Sequence, residues 1–197
     1  MAKKHKKREG MFAVLFCGVL GILLAWITSD MKGIPWAYGI LKNTGLWIFI
    51  ASVTAYFGKS KLSGGLSAAA LGIGRFLGTF FRGLVLHQSI SSGMPIYELL
   101  FCVILGLIGV LAYSCHEDGW IGALCGSIPV SFILAEGYPA IYSRSVALIF
   151  DIVVAVFLYF IVLKGVKRRS IAIPFVALFT FLLIHFEVLS QMAGVYL

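Results

Sequence analysis

The sequence has little charge. Lys, Arg, Asp and Glu make up 12% of its 197 residues, whereas 60% of the residues are hydrophobic and the mean hydropathy is +1.00. A soluble domain needs many more polar side chains to cover its surface. The composition therefore excludes an ordinary soluble globular protein. It predicts an all-α protein, a polytopic bundle of transmembrane helices.

The sequence also has few residues of the kinds that carry metal or nucleophilic chemistry. Of its four cysteines, Cys17, Cys102 and Cys125 lie in apolar runs, where small buried side chains are expected. The contiguous run Cys115-His116-Glu117-Asp118 is spaced too tightly for a typical metal site. No HExxH, GxSxG or Walker sequence occurs. We therefore predict no catalytic residue, metal or other cofactor, and an enzyme is the less favoured class.

Basic residues dominate the charge that is present, and they are unevenly placed. The formal net charge is +8, and the basic residues cluster in residues 3–8, at Lys59 and Lys61, and in residues 164–169. Short basic segments of this kind face the cytoplasm and lie near anionic lipid headgroups. No aromatic residues alternate with them as platforms for stacked bases. We predict contact with the bilayer and not with nucleic acid.

Seven apolar segments follow a basic cytoplasmic tail at residues 1–10. The predicted spans cover residues 11–28, 36–57, 64–86, 96–113, 119–136, 145–164 and 171–189, within one transmembrane domain at 11–197. With the N-terminus inside, all three basic clusters face the cytoplasm. The first segment lacks a small-residue cleavage site and is interpreted as a retained span. We predict a multi-pass cell-membrane protein whose C-terminus lies outside.

The second span contains a polar interruption. Lys42, Asn43, Thr44 and Gly45 precede a clean apolar run at 46–56, which is too short to cross a bilayer alone. Residues 34–41 complete the crossing as a broken helix, giving seven spans, or the segment is re-entrant and six spans remain. Seven is preferred, because six would place the 164–169 cluster outside. Interrupted backbone at this depth needs protein or a water-filled cavity to satisfy it.

Two arginines lie inside the third span. Arg75 and Arg82 share one helical face, seven residues apart. A central arginine in lipid costs roughly 2.5–3.5 kcal/mol even by low estimates, so each needs an anion, a cavity or a route to the interface. Arg82 lies closer to the outer end and can reach the interface. The prediction of a buried polar site therefore depends chiefly on Arg75, with Asp151 of the sixth span as its expected partner.

The other polar residues of the spans map to the outer half of the bundle and suggest a vestibule open to the outside. The predicted solute-binding residues are Lys42, Asn43, Arg75, Arg82, Glu136, Tyr138, Asp151 and His185. The cations near mid-depth outnumber the one deep acid, Asp151. This balance favours an anionic or zwitterionic solute, since the planar guanidinium of Arg75 can donate two parallel hydrogen bonds to a carboxylate or phosphate.

Plainer explanations stay open for each of these residues. Arg75 and Asp151 can form a purely structural pair. Glu98, Glu136 and Glu187 lie close enough to the interface to be simply hydrated. His185 can be a hydrogen-bonded packing residue, and Tyr138 an interfacial anchor.

Two resemblances accompany this interpretation. The run Lys42-Asn43-Thr44-Gly45-Leu46-Trp47, the pair Gly64-Gly65 and the run Ala135-Glu136-Gly137 resemble sequences of small, uncharacterised multi-pass bacterial membrane proteins. This resemblance implies a bacterial cytoplasmic membrane and no particular activity. In size and outward vestibule the chain is also similar to the substrate-binding membrane subunits of energy-coupling-factor vitamin transporters, which is an architectural analogy.

The favoured function is binding or transport of a small anionic or zwitterionic solute through an outward-facing polar site. The chain could act as one subunit of a larger transporter, with other membrane subunits or an ATPase as partners. One alternative is a non-catalytic membrane subunit that stabilises or regulates a partner complex. Another is an intramembrane enzyme acting on lipid or a lipid-linked substrate.

Overall fold

A computed structural model describes residues 2–86, 94–143 and 145–186, which form helices and short connections without any strand. The helices are α1 (Ala2–Asp30), α2 (Pro35–Lys42), α3 (Thr44–Tyr56), α4 (Lys61–Val85), α5 (Met94–Ser114), α6 (Gly119–Gly137), α7 (Ala140–Ser143), α8 (Val146–Val162) and α9 (Val166–His185). Five of these helices, α1, α4, α5, α6 and α9, are long and apolar enough to cross a membrane, and α3 and α8 are shorter apolar helices. The all-α prediction is confirmed for the described residues.

Glycines allow α1 and α4 to touch backbone to backbone. A Cβ atom on Gly21 would lie 2.3 Å from the carbonyl oxygen of Leu71, and one on Gly74 would lie 2.1 Å from the carbonyl oxygen of Gly18. No side chain fits into such a gap, which is why small residues form close helix contacts in membrane bundles. We call this contact the glycine seam.

The direction of α1 and α4 decides how the segment between them runs. Gly10 faces Ser63 near one end of the seam and Gly78 faces Ala25 near the other, so the two helices are parallel. The chain therefore leaves α1 at one end of the bundle and enters α4 at the opposite end. The segment at 31–60 must run the full height of the bundle between them.

Two consecutive helices make this return possible. α2 has 8 residues and α3 has 13, which amounts to about 31 Å of helix at 1.5 Å per residue, close to the thickness of a bilayer core. Asn43 separates them in an extended conformation, with φ −61° and ψ 139°. The structure thus contains the broken helix that the polar interruption predicts.

Antiparallel neighbours set the relative heights of the remaining helices. On α4 and α5, Gly65 lies beside Gly106 and Gly72 beside Cys102. On α6 and α8, Gly126 lies beside Leu163, and Gly137 beside Ile152. These registers bring the first turns of α5 to the level of the middle of α4, and the last turn of α6 to the level of the first two turns of α8.

The core lies along α3, which contacts α4, α5, α6 and α8. Its buried Trp47, Ile48 and Ala51 belong to one apolar cluster that includes Leu71 and Leu158. The outer surface is apolar as well. Its more than half-exposed side chains include Phe12, Phe16, Phe57, Phe157 and Phe181. Such a surface suits lipid better than water.

Most of the sixteen lysines and arginines lie at one end of the bundle, which we call the basic end. It contains the start of α1 and the connections α3–α4, α5–α6 and α8–α9. Two of its described cations have acidic partners: Lys61 pairs with Glu117, and Arg168 lies 3.2 Å from Asp118 and donates to the Cys115 carbonyl oxygen at 2.7 Å. The end of the bundle that holds α7 is called the opposite end.

Candidate functional site

At the break between α2 and α3, two N–H donors form hydrogen bonds with two acidic side chains. The first backbone N–H groups of a helix have no partner within it. The Thr44 N–H donates to Glu136 Oε1 at 2.8 Å, and the Asn43 side-chain amide donates to Asp151 Oδ2. The positive N-terminal end of α3 therefore faces both carboxylates, a favourable arrangement for negative charge.

Gly45 leaves room for the same two acids. A Cβ atom on Gly45 would lie 2.6 Å from Asp151 Oδ1 and 3.2 Å from Glu136 Oε2, so these two oxygens lie within about 6 Å of each other. Both oxygens are buried and have no hydrogen-bond partner, and Asp151 is 0% exposed. We call Glu136 and Asp151 the carboxylate pair. The absence of a side chain at position 45 is what allows the pair to converge.

Arg75 pairs with Glu98 and not with Asp151, which corrects the predicted pairing. Its Nη2 lies 3.5 Å from Glu98 Oε1. The guanidinium carbon lies 4.4 Å from the ring centre of Phe101 and 5.2 Å from that of Trp47, within cation–π range. The reason is the register of α4 against α5, which brings Glu98 to the level of Arg75.

Glu98 is therefore not a hydrated interfacial residue. It is 3% exposed, and its second oxygen, Oε2, has no hydrogen-bond partner, like Nη1 of Arg75. Together with Asn43 and Gly45, four charged residues form what we call the polar centre: Arg75 of α4, Glu98 of α5, Glu136 of α6 and Asp151 of α8.

The charge balance of this centre differs from the one expected from the sequence. The centre contains three carboxyl side chains and a single guanidinium, whereas the sequence suggested a surplus of cations. Arg82 is elsewhere: it lies 2.7 Å from Asp30, donates to the Trp26 carbonyl oxygen at 3.2 Å and reaches the opposite end as its depth predicts. Lys42 is exposed, with its Nζ 6.0 Å from the Tyr38 ring centre.

Two other predicted site residues make contacts outside the polar centre. The hydroxyl of Tyr138 lies 3.0 Å from that of Tyr142. His185 is exposed at the end of α9 and stacks on Phe181 at 5.7 Å between ring centres. Glu187 lies outside the described residues.

The Cys115–Asp118 turn does not gather its side chains around one point. Cys115 is buried, His116 stacks on Tyr56, Glu117 binds Lys61, and Asp118 pairs with Arg168 at the basic end. Among the residues that the structure describes, no three His, Cys, Asp or Glu side chains are arranged to hold a metal ion.

Two grooves flank α9, with volumes of about 480 and 280 Å³. The larger lies between α6, α8 and α9, and its lining includes Tyr138, Tyr159 and Phe181. Both are lined almost entirely by apolar side chains, and no residue of the polar centre lines either one. None of the described residues that line them carries a charged side chain.

Sequence reasoning missed Phe101 as part of the site and placed Glu98 close to the interface. A single acid within the apolar run of α5 was the available signal for Glu98, but its depth depends on the helix register. Gly45 was recognised as part of the polar interruption, but no signal indicated that it makes room for two acids.

No protein-family model matches this chain, and neither a curated protein nor a solved structure matches it. The resemblances drawn from short sequence runs stay predictions. Function must be inferred from the polar centre itself.

Proposed function

We propose that this chain is a seven-span protein of the cell membrane, with the basic end in the cytoplasm. The parallel glycine seam supports this topology, because it requires the α2–α3 segment to run from one end of the bundle to the other. The gathering of basic residues at one end is the usual mark of the cytoplasmic side. The N-terminus is then inside and the C-terminus outside.

Within that membrane protein, the polar centre binds and carries a small zwitterionic solute. One observation carries this proposal: Arg75 Nη1, Glu98 Oε2, Glu136 Oε2 and Asp151 Oδ1 are buried without a hydrogen-bond partner. Buried polar groups are normally satisfied, and leaving several unpaired in one centre is costly. Free atoms of both charge types on four helices indicate partners of both signs.

The chemistry assigns each end of such a solute. Arg75 suits a carboxylate, because its remaining N–H groups can donate to it. The carboxylate pair suits an ammonium group, whose N–H donors match the two free oxygens. A purely anionic solute fits less well, since three acids would repel it.

Access requires a movement, and α2 is the segment best placed to make it. Asp151 is wholly buried, and α2 packs on the first turns of α8, where a Cβ on Gly39 would lie 3.2 Å from that of Ala147. α2 lies between the carboxylate pair and the opposite end. Its outward rotation about Asn43 opens the centre to the outside, as discontinuous helices do in transporters.

A second candidate, a membrane subunit within a larger complex, is favoured by α9. This helix packs chiefly on α6 and leaves an apolar groove along each flank. Another membrane subunit could fill those grooves without disturbing the polar centre. Co-purification with other polypeptides from the native membrane would support this role.

The solute proposal is tested with unbranched ω-amino acids, from glycine to 6-aminohexanoate, added to the purified protein in lipid nanodiscs. The expected result is a rise in thermal stability that is largest at one chain length, where the solute matches the distance from Arg75 to the carboxylate pair. The alkylamine and the carboxylic acid of that length give smaller shifts, because each engages one side of the centre.

Three variants test which side chains bind each charged group of the solute. Arg75→Gln removes the preference for the amino acid over the amine, and Asp151→Asn removes the preference over the acid. Arg82→Gln, on the same helix but outside the centre, leaves both preferences in place. A wild-type protein that responds equally to amine, acid and amino acid, or to none of them, contradicts the proposal.

A further inference from the structure

The two acids of the carboxylate pair repel each other whenever both are ionised, whether or not a solute is bound. Each acid has one oxygen satisfied, Glu136 by the Thr44 N–H and Asp151 by the Asn43 amide. The other oxygen of each converges above Gly45, with no partner. Two negative charges this close, shielded from water, repel strongly, and in such pairs one acid stays protonated.

The surroundings do not supply the missing positive charge. Arg75 of α4 is within electrostatic range of Glu136, but its closest acid is Glu98 of α5. Lys42 at the end of α2 is exposed and directed over Tyr38. α3 contributes no titratable side chain at this level. It contributes the Thr44 side chain, which interacts with Glu136, and its helix N-terminus, which stabilises about half a unit of negative charge. The charges of Arg75 and Glu98 cancel each other, and the N-terminus of α3 compensates the charge of one carboxylate but not of two.

We propose that the carboxylate pair holds one proton when the site is empty and releases it when an ammonium group binds between the two free oxygens. This step deepens the proposed function and rests on it. The O–H bond of the protonated acid breaks, its proton goes to water, and the N–H groups of the ammonium donate to both carboxylates. One positive charge leaves and one arrives, so the carboxylate pair counted together with its bound proton or ammonium group keeps the same net charge.

The consequence is an exchange of one proton for one cationic group at each turnover. Because either a proton or an ammonium group is held by the two free oxygens, two uncompensated carboxylates are never left together at membrane depth, where isolated charge is expensive. The proton gradient across the membrane would then drive movement of the solute in the opposite direction.

The solute-free protein gives the first test, by infrared difference spectroscopy in nanodiscs at neutral pH. The expected signal is the C=O stretch of one protonated carboxyl group, displaced on exchange into heavy water. The band shifts or disappears in Asp151→Asn and in Glu136→Gln, because each variant removes one of the two acids that share the proton. It is unchanged in Asp30→Asn, whose acid lies outside the polar centre. Absence of the band from the wild-type protein, or an unchanged band in both single variants, overturns the proposal.

The second test adds methylammonium chloride, the simplest probe that carries an N–H bearing cation. We expect the carboxyl band to vanish and one proton per protein to appear in a weakly buffered solution containing a pH indicator. Tetramethylammonium and sodium chloride at the same concentrations control for charge without N–H donors and for ionic strength, and should release none. A band that survives saturating methylammonium, or equal release by all three salts, overturns the exchange.

The two proposals fail separately. If the carboxyl band is present and disappears with methylammonium but no ω-amino acid binds, the proton exchange stands and the proposal of a zwitterionic solute is wrong. If ω-amino acids bind and no band is found, the solute proposal stands and the proton exchange is wrong.

Discussion

Glycine has opposite uses in two regions of this bundle. In the seam between α1 and α4, Gly21 and Gly74 bring two backbones into contact and leave no space. At the start of α3, Gly45 leaves a space into which two carboxylates converge. The first region gains close packing without polar side chains. The second holds charged atoms that the protein does not satisfy. A stable scaffold next to an unsatisfied centre is the arrangement expected of a binding protein, since the site must keep capacity for its ligand.

The largest expected effect is on the seam. Gly21→Ala places a Cβ 2.3 Å from the Leu71 carbonyl oxygen, and a backbone atom cannot step aside as a side chain could. We expect a loss of about 3 kcal/mol or more, at the upper end for overpacked sites, measured as thermal unfolding in nanodiscs. Gly33→Ala is the matched control, because nothing lies within 4 Å of that position. Wild-type stability in Gly21→Ala would show that the seam is looser than described.

The next effect concerns the ion pair of the polar centre. Glu98→Gln leaves the guanidinium of Arg75 without its carboxylate. We expect a loss of about 2 kcal/mol, less than the roughly 3–5 kcal/mol of a fully buried pair, because Arg75 keeps its contacts with Trp47 and Phe101. The double variant Arg75→Gln, Glu98→Gln should recover part of this loss. Additive losses in the double variant would mean that the two residues are not coupled.

Gly45→Ala is expected to weaken solute binding while changing the stability of the protein little. The new methyl group would lie 2.6 Å from Asp151 Oδ1, which a side-chain rotation can relieve, so stability should change by no more than about 1 kcal/mol, given the better helix propensity of Ala. The apparent affinity for ω-amino acids, measured from thermal shifts, should fall at least about tenfold, which corresponds to a binding free energy weaker by about 1.4 kcal/mol. Unimpaired binding would place the ammonium site away from the carboxylate pair.

The smallest effect is expected at the opposite end. Asp30→Asn removes the carboxylate that Arg82 approaches at 2.7 Å, but the Asp30 side chain is 56% exposed. Exposed ion pairs contribute about 0–1 kcal/mol. We expect unchanged solute response and a thermal-stability change of less than about 0.5 kcal/mol, since Arg82 retains the Trp26 carbonyl. A loss as large as that of Glu98→Gln would make this pair part of the scaffold.

Much of the helical organisation was predictable, and little of the side-chain pairing was. The apolar runs predict the long helices, and the interruption at 42–45 predicts the break that the structure places at Asn43. Asp151 and Glu136, both named as candidates from the sequence, converge at Gly45. Arg75 was expected to meet Asp151 and instead meets Glu98. Arg82, Lys42, Tyr138 and His185 make contacts outside the polar centre.

The sequence by itself determined that the chain is helical, apolar on its surface and basic at one end, because these properties depend on composition and on the local order of residues. Only the tertiary structure decided which charges meet. The height of Glu98 depends on how α5 slides along α4, and the meeting of Glu136 with Asp151 depends on the register of α6 against α8. Both registers are set where glycines let neighbouring helices approach, as at Gly72 against Cys102 and at Gly137 against Ile152, so the charge of the centre emerges only when the helices are packed.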